Sequence, residues 1–258
     1  MRPSSYSPRT SLGILLGGLV LMCTFASARA QTSDDIRESQ RLTRVALVAQ
    51  QQGRLDDAVR AYQTIAVVTK GSPTIAASAQ LSAGNIYMRL GKYEEAAAAF
   101  RRSVALDAHS AEAQNNLGEA LGELKQFQRA LEAFQRAITI DSRFLKARYN
   151  LGVTYDRLGQ LKYAEFVYRI LIRDFPDFVL AYDSLAVTLS KSGRARSAIA
   201  FHEKAISLDA KEPFFYYNLA VSYLVLGDLK KAREQQQRLR NLDPAMAEHL
   251  ALVISRRQ

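Results

Sequence analysis

A repeat of 34 residues is the feature that most restricts how this chain can fold. Five consecutive blocks share one register, and they begin at Ala77, Ala111, Leu145, Val179 and Pro213. The eighth position of each block is glycine or alanine, and the twentieth is always alanine: Ala96, Ala130, Ala164, Ala198 and Ala232. Self-similarity at such a period is typical of solenoids, in which each unit is stabilised by stacking on its neighbours. We therefore expect a linear array rather than one globular core.

Each block contains two segments with apolar residues at spacings of three and four, which predicts two amphipathic helices. In the block from Ala111, the first segment carries Leu117 and Leu121, and the second carries Leu131 and Phe134. The small residues at positions eight and twenty allow the two helices to approach closely. Most blocks also have a glycine between the segments, where it suits the left-handed residue that ends a helix. These glycines are Gly91, Gly159, Gly193 and Gly227, and Lys125 replaces glycine in one block.

This pattern resembles the tetratricopeptide repeat, a helix-turn-helix unit with Leu-Gly in its first helix, glycine at the turn, and alanine and an aromatic residue in its second. A weaker sixth copy begins at Ser39 and carries Gly53, Ala58 and Tyr62 at the turn, alanine and aromatic positions. Residues 73–76 are extra to the period and are expected to lengthen a loop.

The resemblance implies an all-α solenoid of about six helix-turn-helix repeats with a C-terminal capping helix. The expected segments are a signal peptide at 1–30, a flexible tail at 31–38, repeats at 39–72, 77–110, 111–144, 145–178, 179–212 and 213–246, and the capping helix at 247–258.

The N-terminal thirty residues have the pattern of an export signal. Arg2 and Arg9 precede an apolar run from Leu12 to Ala26, and Ala28-Arg29-Ala30 follows. A basic start, an apolar stretch of 7–15 residues and an A-x-A ending describe a secretory signal peptide. The run is short for a membrane span, which needs about 20 residues. We therefore expect cleavage after Ala30 and export of the protein, and the periplasm is the expected location.

Two other outcomes for this segment stay open. The single cysteine, Cys23, lies inside it and is a candidate for lipidation, although Met22 is not the small residue that usually precedes a lipidated cysteine. The segment could also remain as an N-terminal anchor, with the repeats facing the periplasm. After cleavage the chain would contain no cysteine, which excludes disulfide and thiol chemistry.

The charge distribution does not indicate a nucleic-acid partner. The chain has a formal net charge of +10, of which Arg2, Arg9 and Arg29 of the N-terminal segment supply three, and most of the remaining excess lies in the C-terminal half. Binding of nucleic acid would require basic and aromatic side chains on one continuous face. Most of these basic residues instead fall at turns or on second helices, which predicts a solvated surface. An anionic envelope polymer remains an alternative partner.

No arrangement of residues predicts catalysis, a metal site or a cofactor. The three histidines, His109, His202 and His249, share no metal-ligand spacing. The sequence has no glycine-rich phosphate loop and no nucleophile with its base. Neighbouring carboxylates such as Glu94 and Glu95 fall at a helix start, where they complement the helix dipole. We expect a non-enzyme without a small-molecule substrate.

The resemblance implies that the first helix of each repeat lines a concave groove for a protein or peptide partner. The side chains carried onto that groove are Asn85, Arg89, Asn116, Glu119, Lys146, Tyr149, Asn150, Arg157, Asp183, Phe214, Tyr217 and Asn218.

Asparagine recurs at the sixth position of three blocks, as Asn116, Asn150 and Asn218. These amides could hold the backbone of an extended peptide or could bond to neighbouring helices, and the sequence does not decide between the two. Phe214, Tyr217 and Tyr149 are candidate exposed anchors for the partner.

The function expected from these observations is a non-catalytic scaffold of the bacterial cell envelope. A regulatory or targeting subunit of an envelope enzyme, and a receptor for an anionic envelope polymer, are the alternatives. The sequence names no partner.

Overall fold

The fold is described from a computed structural model that covers residues 33–69 and 71–256, and over these residues it contains helices and no strands. The proposed signal peptide at 1–30 lies outside them. Helix α1 spans 33–51. The other helices are α2 (Leu55–Val68), α3 (Pro73–Arg89), α4 (Tyr93–Leu106), α5 (Ala111–Glu123), α6 (Phe127–Ile140), α7 (Leu145–Arg157), α8 (Leu161–Asp174), α9 (Val179–Lys191), α10 (Ala195–Leu208), α11 (Pro213–Val225), α12 (Leu229–Arg240) and α13 (Pro244–Ser255). The all-α expectation is confirmed.

The chain forms two compact units, of which the first ends at His109 and the second begins at Ser110. In the first unit, α1 packs on the pair α2 and α3 through a core that includes Ala46, Tyr62 and Ile86. Helix α3 then pairs with α4, and the ring of Phe100 lies against Gly84.

The second unit is a serial stack of helix pairs. Each odd-numbered helix from α5 to α11 packs against the even-numbered helix that follows, and that helix packs against the next odd-numbered one. Successive odd-numbered helices also touch one another, from α5 through α7, α9 and α11 to α13, whereas within the described residues no two even-numbered helices do. The odd-numbered helices therefore form the inner, more crowded layer, and the stack curves around them.

A ring seated on a glycine holds the helices of a pair together. In the α5–α6 pair, a Cβ added to Gly118 would lie 2.6 Å from Cε1 of Phe134. In the α7–α8 pair, a Cβ on Gly152 would lie 2.6 Å from Cε1 of Tyr168. Real Cβ atoms do not approach a ring so closely, so the two helices reach this separation only because the side chain is missing.

The last two blocks solve the same packing problem differently. Alanine replaces glycine at Ala186 and Ala220. The positions equivalent to Phe134 and Tyr168 are occupied by His202 and Gln236 in these blocks. Both side chains are smaller than phenylalanine or tyrosine. The larger residue on the first helix is thus matched by a smaller one on the second.

The turns within the pairs depend on left-handed residues. Gly53, Gly91, Gly159, Gly193 and Gly227 have φ between 68° and 80°, and Lys125 has φ 57° at the equivalent place. At this turn Gln126 N donates to Leu121 O at 2.9 Å, and Lys125 N donates to Gly122 O at 2.9 Å. These are the bonds of a Schellman C-cap, so the backbone geometry is kept although lysine has a Cβ.

Three sequence expectations about boundaries were wrong. Residues 33–38 are the first turns of α1 rather than a flexible tail. Residues 73–76 form the first turn of α3 rather than a loop, because Pro73 occupies the N1 position, where the missing N–H costs no hydrogen bond. The capping helix begins at Pro244 for the same reason, three residues before the expected start.

Within the described residues, no helix has the length and apolar character that crossing a membrane requires.

We predict that Gly118→Ala lowers the free energy of unfolding by about 1–3 kcal/mol, because the new methyl group overlaps the Phe134 ring. Gly122→Ala on the same helix is the matched control, since a Cβ there meets nothing within 4 Å. It should be neutral or stabilising by up to about 1 kcal/mol. Urea unfolding followed by circular dichroism measures both, and equal effects would contradict the role assigned to the glycine.

Lys125→Gly should raise the free energy of unfolding by about 0.5–1 kcal/mol. A non-glycine residue in the left-handed region costs roughly 1–2 kcal/mol, and the greater freedom of glycine in the unfolded chain offsets part of that gain. Thermal unfolding compares the variant with the parent chain. A lower melting temperature would show that the lysine side chain stabilises the turn by other contacts.

Candidate partner-binding surface

The inner layer of the second unit presents one continuous surface. We define the inner surface as the exposed and partly exposed side chains of α5, α7, α9, α11 and α13 that face away from the even-numbered helices. Of the twelve sequence-predicted site residues, ten lie on these helices. Asn85 and Arg89 lie on α3 in the first unit, and both are exposed.

A polar cluster joins α5 to α7. Asn150 Nδ2 donates to Asn115 Oδ1 at 3.1 Å and to Glu119 Oε1 at 2.9 Å. Asn115 Nδ2 donates to Asn116 Oδ1 at 3.1 Å and to Glu119 Oε1 at 2.8 Å. Lys146 Nζ lies 2.8 Å from Glu119 Oε1. The amide of Asn150 therefore bonds to the neighbouring helix, which is the second of the two roles that the sequence left open.

A second cluster joins α9, α10 and α11. Asp183 Oδ1 lies 2.7 Å from Nδ1 of His202, and Asn218 Nδ2 donates to Asp183 Oδ2 at 2.8 Å. His202 is fully buried, and its Nε2 has no hydrogen-bond partner in the described part of the chain. Asp183 therefore pairs with both His202 and Asn218. The Asn218 amide therefore joins α11 to α9, which is again the second of the two roles that the sequence left open.

The pairing of His202 with Asp183 was not predicted from the sequence, which indicated Asp183 only as a groove residue. Asp183 and His202 are separated by 19 residues, so the pairing depends on how α9 and α10 are rotated about their axes. A polar residue at a position that is aromatic in other blocks was the available signal.

Tyr149 is not an exposed anchor, contrary to expectation. Its ring packs edge-on against Phe178, with centroids 5.4 Å apart, and its hydroxyl lies 3.2 Å from Ser184 Oγ on α9. Burial raises the pKa of Tyr149. The side chain joins α7 to α9, so it stabilises the layer instead of projecting from it.

Two turns further along α7, Asp156 carries a largely buried carboxylate. Asp156 Oδ2 accepts hydrogen bonds from Thr188 Oγ1 at 2.8 Å and from the Tyr168 hydroxyl at 3.3 Å. Burial first, and then the negative charge of Asp156, raise the pKa of Tyr168. Lys191 Nζ lies 3.7 Å from Asp156 Oδ1. The contacts from Thr188 and Lys191 tie α7 to α9 near their C-terminal ends.

Phe214 and Tyr217 border an open cleft between α11 and α13. The cleft has a volume of about 460 Å³ and is lined by Phe214, Tyr217, Asp243, Ala245, Met246 and His249. Phe214 is 58% exposed. The rings of Tyr217 and His249 stack with centroids 5.9 Å apart, and the Tyr217 hydroxyl lies 3.2 Å from His249 Nδ1. The cleft is mostly apolar and open to solvent.

Several basic side chains of the C-terminal half are engaged in ion pairs. Arg194 and Arg169 both bind Glu165, and Arg173 lies 2.8 Å from Asp174. The hydrogen bond from Arg194, more than the one from Arg169, keeps the pKa of Glu165 below its ordinary value. These pairs are consistent with a solvated outer layer. Within the described residues, no group of three or more His, Cys, Asp or Glu side chains is placed to hold a metal ion.

Comparison with known proteins decides the family. Four models described as "Tetratricopeptide repeat" match the chain, one of them at 44–104 and 81–144, and the others at 146–177, 179–212 and 213–235. The chain is a tetratricopeptide repeat protein. This fold is that of a protein-interaction scaffold. No protein of curated function matches its sequence.

Three solved structures indicate how widely the fold is shared. The protein resembles MamA with 31% identity, over 65% of this chain and 95% of that one, with a TM-score of 0.59. It resembles PilW, titled a widely conserved type IV pilus biogenesis factor, with 23% identity over 84% and 98% and a TM-score of 0.70. It also resembles YrrB, titled a TPR protein with an unusual peptide-binding site, with 20% identity over 67% and 90% and a TM-score of 0.54. The last two likenesses are of fold.

We predict that Asp183→Ala lowers the free energy of unfolding of this tetratricopeptide repeat protein by about 2–3 kcal/mol. The change removes the partner of a buried imidazole and one acceptor of Asn218, and hydrogen bonds to charged groups contribute about 1.5–3 kcal/mol. Asp177→Ala, exposed just before α9, is the control and should change stability by less than about 0.5 kcal/mol. A loss for Asp183→Ala no larger than for the control would disprove the pairing.

Proposed function

We propose that the protein is a non-catalytic scaffold of the bacterial cell envelope that binds a partner protein through the inner surface of α5, α7, α9, α11 and α13. The observation that carries this proposal is the cleft between α11 and α13, with Phe214 58% exposed at its edge. An aromatic side chain that projects beside a pocket is the kind of group that dominates binding energy at protein interfaces.

The rest of the inner surface supports the same proposal. The bonds from Asn150 to Asn115 and from Asn218 to Asp183 fix the inner helices against one another without a partner. A surface that is already ordered loses little side-chain freedom when a partner binds. This property suits a docking platform.

The envelope location has independent support. The segment at 1–30 has the pattern of an export signal, and PilW, which has this fold, is titled a pilus biogenesis factor. Neither observation identifies the partner, because one fold serves many systems.

A photo-crosslinking experiment tests both parts of the proposal. p-Benzoylphenylalanine is introduced at Phe214 in one strain and at Glu132, which is exposed on α6 in the outer layer, in a control strain. We expect discrete protein adducts from position 214 and few from position 132. The adducts should fractionate with the periplasm or the membranes. Equal labelling from both positions would contradict the binding surface, and adducts confined to the cytosol would contradict the envelope role.

A further inference from the structure

Three valines form a row across the inner surface. Val153, Val187 and Val221 occupy the ninth position of α7, α9 and α11, and each is partly exposed. The bonds Tyr149–Ser184 and Asn218–Asp183 join fifth and sixth positions of successive inner helices. Equal positions therefore lie beside one another to within about one helical turn, and the valines line up.

Helix packing does not require valine at this position. In α5 the same position is Glu119, whose carboxylate is on the inner surface and bonds to Asn150 and Lys146 of α7. A charged residue is thus compatible with the fold there. The apolar row from Val153 to Val221 is a property of these three repeats that their own packing leaves unexplained.

The edges of this row differ in chemistry. At the C-terminal ends of α7 and α9, Arg157 is exposed and Lys191 is 52% exposed, with its Nζ 3.7 Å from Asp156 Oδ1. The same position of α11 is Val225, which is exposed and apolar. At the N-terminal ends, Leu180 and Phe214 are exposed and apolar, and Lys146 at the same position of α7 is paired with Glu119. An apolar strip with one cationic edge favours a partner element that has an apolar face and carboxylates along one side.

The hydrogen bonding of the inner surface favours a helix over an extended peptide. An extended segment must find partners for its own backbone groups, and the amide donors of Asn150 and Asn218 already bond to neighbouring helices. A helix satisfies its backbone internally and needs only apolar and charged contacts. The three valines span two interhelical spacings of about 8–10 Å each, which corresponds to about 11–13 residues of helix.

We infer that the inner surface of α7, α9 and α11 binds an amphipathic, acidic α-helix of a partner protein, with its apolar face on the valine row and its carboxylates toward Arg157 and Lys191. This inference rests on the proposed function and specifies the chemistry of the partner.

Three fluorescein-labelled peptides of about 14 residues test the inference against the full chain by fluorescence anisotropy. The first has a leucine face flanked on one side by glutamates, the second carries lysine in place of each glutamate, and the third is a scrambled version of the first. We expect the glutamate peptide to bind at least about tenfold more tightly than either of the others. Equal affinities for the glutamate peptide and its scrambled version would overturn the inference.

Three single-residue variants separate specific binding from general charge attraction. Two of them introduce a residue that α5 already carries at the same position. Val187→Glu places at this position the residue that α5 already carries, Glu119, and should weaken the glutamate peptide at least about tenfold. Arg157→Glu, for which Glu123 at the same position of α5 is the precedent, should weaken the glutamate peptide and strengthen the lysine peptide. Arg136→Glu, exposed on α6 in the outer layer, makes the same change in net charge and should leave both affinities within about twofold.

Circular dichroism and melting temperature of each variant verify that the fold is intact. A response to Arg136→Glu as large as the response to Arg157→Glu would overturn the inference, because binding would then follow net charge alone. If none of the three peptides binds but crosslinking from position 214 continues, the acidic helix is rejected and the proposed function stands. Loss of crosslinking would reject the proposed function itself.

Discussion

The contact between an aromatic ring and a glycine backbone is the interaction on which this structure depends. It sets the separation of the two helices in a pair at Gly84, Gly118 and Gly152, where no Cβ could be accommodated. The helix separation in turn positions the next pair, since each even-numbered helix of the second unit packs on both of its odd-numbered neighbours. The change to Ala186 with His202 retains the stack with a smaller ring. That change also introduces a polar side chain into the interior, where Asp183 is needed to bind it.

Much of the fold could be predicted from the sequence because the repeat reports the same packing requirement several times. Alanine at position twenty and glycine at the turns recur wherever two helices must meet or the chain must reverse. Boundaries were less predictable, since a proline can end one element or begin the next. Pro73 and Pro244 both begin helices, and the sequence alone had suggested a loop for the first and a repeat end for the second.

The candidate site was predicted less completely, for a physical reason. Amphipathic periodicity tells which residues face the inner layer, but it does not tell which of them touch across two helices. Asn150 and Tyr149 were correctly placed on that layer, yet their side chains bond to Glu119 and Ser184 of adjacent helices. Register and rotation between helices, which decide these contacts, arise from tertiary packing. Phe214 stands at the first turn of α11 beside the open cleft, and its exposure agrees with the sequence expectation.

The side-chain bonds between inner helices run without interruption from α5 to α13. Asn150 reaches Asn115, Tyr149 reaches Ser184, Asn218 reaches Asp183, and Tyr217 reaches His249. Each of these bonds weakens when its two partners separate, so together they hold the inner helices at their present spacing. Straightening the unit would pull these partners apart, and within the described residues no two outer helices share contacts that could replace them. The row of side-chain bonds along the inner layer therefore opposes straightening of this unit.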